Sequence, residues 1–185
     1  MLDIHGKVQV VLFVWVADDR IFVVTPPAMA AKTAEALDHY LFSEKVAIED
    51  VSREYALFVL AGPAARETTT RLAGAAPPDS PWSHVAAKLG ETPIRLVSGA
   101  RETGEAEVWI MCPGGEAANV RETLVAAGAR PIGHEACRIA EDRGGHAAVR
   151  SRRGRVRATA GDPVRESALS HEGLLSRPGG RRQDS

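Results

Sequence analysis

All nine aromatic side chains of this chain lie at or before Trp109. Past residue 140 the composition shifts again. Residues 141–185 hold ten Arg, no Lys, six acidic residues and seven Gly, with no aromatic residue and no Ile. Such a stretch lacks the large apolar side chains whose burial offsets the entropy lost on ordering a chain. The reading is one folded region, residues 1–140, followed by a disordered Arg/Gly-rich tail, residues 141–185. Residues 1–140 carry 13 Lys and Arg against 18 Asp and Glu. The folded part is therefore acidic and the tail basic, inside a chain whose net charge is only −1.

The remaining composition, 44% apolar and 25% charged, is that of an ordinary globular protein. No apolar run approaches the ~20 residues that span a bilayer. The longest, Val8 to Ala17, is interrupted by Gln9. Met1 is followed by Asp3 and His5 rather than by a basic and then apolar leader. Two cysteines, Cys112 and Cys137, make no disulfide framework. A reducing, cytoplasmic location and no membrane partner are expected.

Periodicity orders the folded part. Val8 to Val16 and Ile21 to Thr25 read as a hairpin around Asp18-Asp19, closed by Pro26-Pro27. Ala28 to Phe42 turns helical, with Ala30, Ala34, Leu37 and Leu41 on one stripe. Val46 to Ile48 and Glu54 to Leu60 read as strands, and Ala65 to Ala73 as a short helix. Ala75 to Ser83 is a Pro-rich linker. Ile94 to Ser98 pairs with Glu107 to Met111, and Glu116 to Ala127 forms a helix ended by Gly128. The fold class is α+β: mostly antiparallel sheets with helices on one face.

Three segments carry a family signal. Met1-Leu2-Asp3-Ile4-His5-Gly6-Lys7-Val8 runs into an apolar strand. Phe42 to Asp50 (F-S-E-K-V-A-I-E-D) is followed by Ala56 to Pro63 (A-L-F-V-L-A-G-P). Thr103-Gly104-Glu105-Ala106-Glu107 precedes a strand, Pro113, a helix and Leu124 to Gly133 (L-V-A-A-G-A-R-P-I-G). Together, in this order, they resemble the folate-binding region of the glycine cleavage T protein superfamily over about residues 1–140. The resemblance implies an incomplete folate-binding, aminomethyltransferase-like fold, with tetrahydrofolate or another folate as cofactor.

Two branches of that superfamily differ in the first strand. The aminomethyltransferase branch reads G-G-x-x-D-D-L there, and its first aspartate is thought to assist transfer. This chain has Val10 and Val11 at those two places. A valine holds no proton, so acid–base work there is impossible. The other branch, the YgfZ-like folate-binding proteins that support iron–sulfur protein assembly or repair, needs no such aspartate and commonly reads G-K, as Gly6-Lys7 does. The sequence therefore resembles that non-catalytic branch, with iron–sulfur client proteins as implied partners. The alternatives are a glycine-cleavage aminomethyltransferase and a basic-tail interaction protein. The tail lacks the aromatic residues on which bases stack, so nucleic acid is not an expected partner.

The hallmarks of the YgfZ-like branch, R-I-E-A-G-x-P-R-Y-G and K-G-C-Y-x-G-Q-E, are absent. The genetic code suggests why. With free codon choice, Glu141 to Ser151 read one nucleotide later spells R-I-E-A-G-T-P-R-Y-G. In the same frame, Arg155 to Asp162 gives E-Y-V-P-Q-Q-E, and Ser170 to Gly180 gives H-T-K-G-C-Y-L-G-Q-E. The reading is a frame slip near Glu141. Members of the family also carry further residues before the first strand, so an N-terminally truncated piece is expected.

By resemblance, folate lies in a central channel lined by Val10, Val24 and Cys137. From the residues alone, Val10 and Val24 serve equally well as plain core. His134 and Cys137 form an H-x-x-C pair with no second ligand pair at metal-site spacing, so no metal is expected. Cys112 reads as a small buried apolar residue.

Overall fold

A computed structural model of the chain describes residues 1, 5–6, 8–42 and 45–133, together with the backbone of 173–178. It divides into two compact units, Met1–Ser52 with Glu172–Ser185, and Arg53–His171.

The first unit is built on an antiparallel hairpin of β1 (Phe13–Val16) and β2 (Arg20–Thr25). The turn is held by the Ala17 N–H donating to the Arg20 carbonyl at 2.8 Å and by an Arg20–Asp19 ion pair at 2.8 Å. Trp15 and Phe22 face each other across the pair and are buried, as is Val24 two residues on. Val14 and Val16, on the opposite face of the pleat, are exposed. One turn of 3-10 helix, Pro27–Met29, leads into α1 (Ala30–Asp38), which buries Ala30 and Thr33. The short β3 (Glu49–Asp50) and β8 (Gly173–Pro178) complete a sheet in the order β1-β2-β8-β3.

Two sequence expectations change here. Of the apolar run from Val8, only Phe13–Val16 joins the strand ladder. The strand expected at Val46–Ile48 lies instead at Glu49–Asp50, next to the bend where Ser52 N–H donates to Asp50 Oδ1 at 3.0 Å. The tail, beyond the residues expected to hold nearly all the regular structure, contributes one described strand, Gly173–Pro178, which pairs antiparallel with both β2 and β3. The backbone pairing there draws on hydrogen bonds available to any sequence, so the composition argument does not exclude it. The rest of 141–185 lies outside the described residues.

The second unit holds β4 (Tyr55–Ala61), α2 (Ala65–Ala73), β5 (His84–Leu89), β6 (Thr92–Ser98), β7 (Glu107–Pro113) and α3 (Ala117–Ala126). Its sheet is antiparallel throughout, in the order β4-β7-β6-β5. The central β7 reads V-W-I-M-C over Val108–Cys112, and all five side chains are buried. A strand covered on both faces needs such an uninterrupted apolar run. Phe58, Leu96, Val108, Ile110 and Cys112 share one face, where Ala65 of α2 and Val120 and Leu124 of α3 pack against them. The helices thus lie on one side of an antiparallel sheet, as the α+β reading expects. On the other face, Trp82 meets Trp109 edge-on at 5.1 Å between ring centroids. Helix α3 stops where Gly128 takes φ +96, and the Ala129 N–H turns back to the Leu124 carbonyl at 3.0 Å.

Candidate functional site

Val10 lies just ahead of β1 and is 5% exposed; its carbonyl accepts from the Met1 ammonium at 2.8 Å. Val24 sits in β2 opposite Phe13 and is 1% exposed. Cys137 lies outside the described residues, as does His134. Neither valine lines either of the two clefts described below. Val11, beside Val10, is half-buried. No carboxylate therefore stands at residues 10 and 11, and both lie ahead of β1 rather than within the first strand as the sequence expectation has them.

Both clefts belong to the second unit. One, of about 430 Å³, runs between the end of β4, the start of α2 and the chain leaving α3. Leu60, Gly62, Ala64, Thr68, Gly128 and Arg130 are among its walls. It is mostly apolar, and among the described residues Arg130 is its one charged side chain.

The other, of about 290 Å³, lies beside the turn joining β6 to β7. Arg66, Asp79, Ser98, Gly99, Arg101 and Glu107 contribute to it. Arg66 reaches from α2 to the Pro-rich stretch. Its Nη1 donates to the Pro78 carbonyl at 2.9 Å and to Ser98 Oγ at 3.0 Å. Its Nη2 donates to the Pro77 carbonyl at 2.7 Å and to Asp79 Oδ1 at 2.8 Å. The Ser98 hydroxyl also donates to the Pro78 carbonyl. This guanidinium is consequently committed to holding residues 77–79 against β6.

Glu107 opens β7 and is 3% exposed. Its Oε1 accepts from both the backbone N–H and the hydroxyl of Thr103, each at 2.7 Å. Its Oε2 is buried with no hydrogen-bond partner among the described residues. Gly99 lies against it: a Cβ there would come within 2.5 Å of Glu107 Cβ and 2.8 Å of Oε2. Arg101, in the same turn, holds a left-handed backbone at φ +60. Trp82, next to the cleft-lining Pro81, does the same at φ +65. Such conformations cost a non-glycine residue energy and cluster where a surrounding structure enforces them.

The sequence reading passed over this pocket. It took Thr103 to Glu107 as a turn entering a strand, and nothing in T-G-E-A-E distinguishes Glu107 from Glu105. Glu107 directly precedes the buried V-W-I-M-C run, but its own burial is set by packing against Gly99 and Thr103.

Cys112 is the other chemically capable group. Burial, reinforced by the negative charge of Glu116, pushes its thiol up to about 12, against a smaller opposing effect of the hydrogen bond to the Ala56 backbone. It stays a thiol, not a nucleophilic thiolate, at neutral pH. Among the described residues no three His, Cys, Asp or Glu side chains are grouped so as to hold a metal ion. No helix among them is long and apolar enough to cross a membrane.

The antiparallel α+β architecture, with helices on one face of the sheet, is consistent with a GCVT-like domain. The family model for the GCVT N-terminal domain matches residues 1–147, and the chain belongs to that family. It is also similar to the Arabidopsis thaliana protein named "Putative transferase At1g60990, chloroplastic". The two are 29% identical over 160 residues, which cover 85% of this chain and 33% of that protein. The chain thus spans about a third of that relative's length. No solved structure matches it.

Proposed function

We propose that the chain is a YgfZ-like folate-binding protein supporting iron–sulfur protein assembly or repair, and not an aminomethyltransferase. The observation that carries this reading is the pair Val10 and Val11. Transfer of an aminomethyl group to tetrahydrofolate requires a proton to be held and moved at the attacking nitrogen. Val10 is buried and apolar, and no carboxylate lies anywhere in residues 8–16. Membership of the GCVT N-terminal domain family supports a folate as the ligand. Val10, Val24 and Cys137 are the proposed folate-facing positions, iron–sulfur proteins the proposed clients, and the cytoplasm the proposed location.

Calorimetric titration with tetrahydrofolate, alongside a reconstituted glycine cleavage assay, tests the proposal. Saturable binding without turnover is the expected result. Turnover above background overturns the choice of branch, and absence of binding overturns the folate reading. Val24→Ala separates wall from core. A weaker affinity measured well below the melting temperature supports a folate-facing role. A lowered melting temperature with unchanged affinity makes Val24 a core residue only.

A further inference from the structure

We propose that the pocket beside the β6–β7 turn binds a small zwitterion, an ammonium-type N–H donor beside an anionic oxygen, of which a free α-amino acid is the smallest form. This goes beyond folate binding and does not depend on it.

Glu107, which lines the pocket, carries a carboxylate oxygen, Oε2, that is buried and has no partner among the described residues. A buried polar acceptor left unmatched costs free energy that a donor recovers on binding. The other oxygen is already satisfied by Thr103, so Oε2 is the acceptor left for a ligand. Arg101 supplies the opposite charge. Its guanidinium makes no hydrogen bond or ion pair among the described residues, whereas Arg66 is spent on the Pro-rich stretch. The charged groups lining the pocket, Arg66 and Arg101 against Asp79 and Glu107, balance. A net-neutral ligand with separated charges therefore fits better than a simple anion or cation. The cleft has ample room for a ligand the size of an amino acid. About 290 Å³ lies at the bottom of the range for small-molecule sites, roughly 300–1,000 Å³. Gly99 keeps the approach clear, because a side chain there would strike Glu107.

Glycine is the probe, titrated into the full 185-residue chain and followed by amide NMR shifts and by Trp109 fluorescence. Saturable shifts centred on Gly99, Thr103 and Gly104 are expected. Glu107→Gln keeps an acceptor for Thr103 and removes the charge. Arg101→Asn removes the guanidinium but tolerates the left-handed backbone. Each is expected to weaken glycine binding roughly tenfold or more, as loss of one charge-assisted hydrogen bond does. Acetate, which lacks the ammonium, and glycinamide, which lacks the carboxylate, should bind correspondingly worse than glycine. The proposal is overturned if glycine and L-alanine give no saturable shifts, or if acetate binds as well as glycine. It is also overturned if both variants, shown folded by melting, bind glycine as the parent chain does. Tetrahydrofolate titrated in parallel reports on the folate reading separately.

Discussion

Cys112 illustrates how burial converts a reactive side chain into packing material. It lies between Phe58, Ile110 and α3 in the core of the second unit, and its thiol is pushed from 9.0 up to about 12. In the unfolded chain the same thiol ionises near its ordinary value. Between pH 9 and 12 the unfolded state thus loses a proton that the folded state keeps. Stability must fall as pH rises through that window, by up to ~1.4 kcal/mol per pH unit for one group. Below pH 9 both states hold the proton and the residue contributes no pH dependence. Urea unfolding of the parent chain and of Cys112→Ala across pH 8–11 checks this. The parent is expected to lose stability more steeply with pH than the variant. Equal slopes would show that the thiol is solvated.

At the scale of elements, α3 is fastened by Val120 and Leu124, both fully buried against the sheet. Leu124→Ala removes transfer energy and opens a cavity, at an expected cost of about 2–5 kcal/mol in denaturant titration. Gly128→Ala meets no atom within 4 Å, so its whole cost is the backbone at φ +96. It should destabilise by roughly 1–2 kcal/mol, and a neutral result would mean that the helix can end elsewhere. The same elements show what was legible in sequence. Helix α2 occupies Ala65–Ala73 as read, because Gly62-Pro63 and Gly74 punctuate both ends. Strands β6 and β7 and their antiparallel pairing were also legible, since their apolar runs flank a glycine-bearing turn. Strand β5 was not. His84-Val85-Ala86-Ala87-Lys88-Leu89 has little β propensity, and it becomes a strand by pairing with β6 at the sheet edge. The pocket at Glu107 was hidden for a related reason. Burial of one acid among several near a turn is set by tertiary packing, which leaves no local pattern.

For the whole molecule, the composition break after residue 140 calls for a cause. The GCVT N-terminal domain match ends at residue 147, a few residues past the point where the composition turns to Arg and Gly. Out-of-frame reading of GC-rich coding bases produces that composition without any partner or function for the tail. We propose accordingly that residues beyond about 140 are read one nucleotide out of phase. Each shifted codon admits several residues, so one match alone carries little weight. Two long signatures, R-I-E-A-G-T-P-R-Y-G from Glu141–Ser151 and K-G-C-Y-L-G-Q-E from Glu172–Gly180 with its preceding bases, in one frame and in order, carry much more. Correcting the frame near the Glu141 codon is expected to restore the glutamate of R-I-E-A-G, which by resemblance faces the pterin ring, and the cysteine of the second motif. A charge-assisted hydrogen bond from that glutamate is worth roughly 1.5–3 kcal/mol. The corrected protein should then bind tetrahydrofolate roughly tenfold or more tightly than the present chain. The corrected chain should also unfold more cooperatively, because a larger domain buries a greater fraction of its surface. Sequencing the genomic bases after the Ala140 codon decides the matter first. A stop codon in the next frame, or bases that do not spell the two motifs, would end the proposal. Motifs present in a corrected protein whose tetrahydrofolate affinity is unchanged would leave the frame slip standing and remove the glutamate from the folate site.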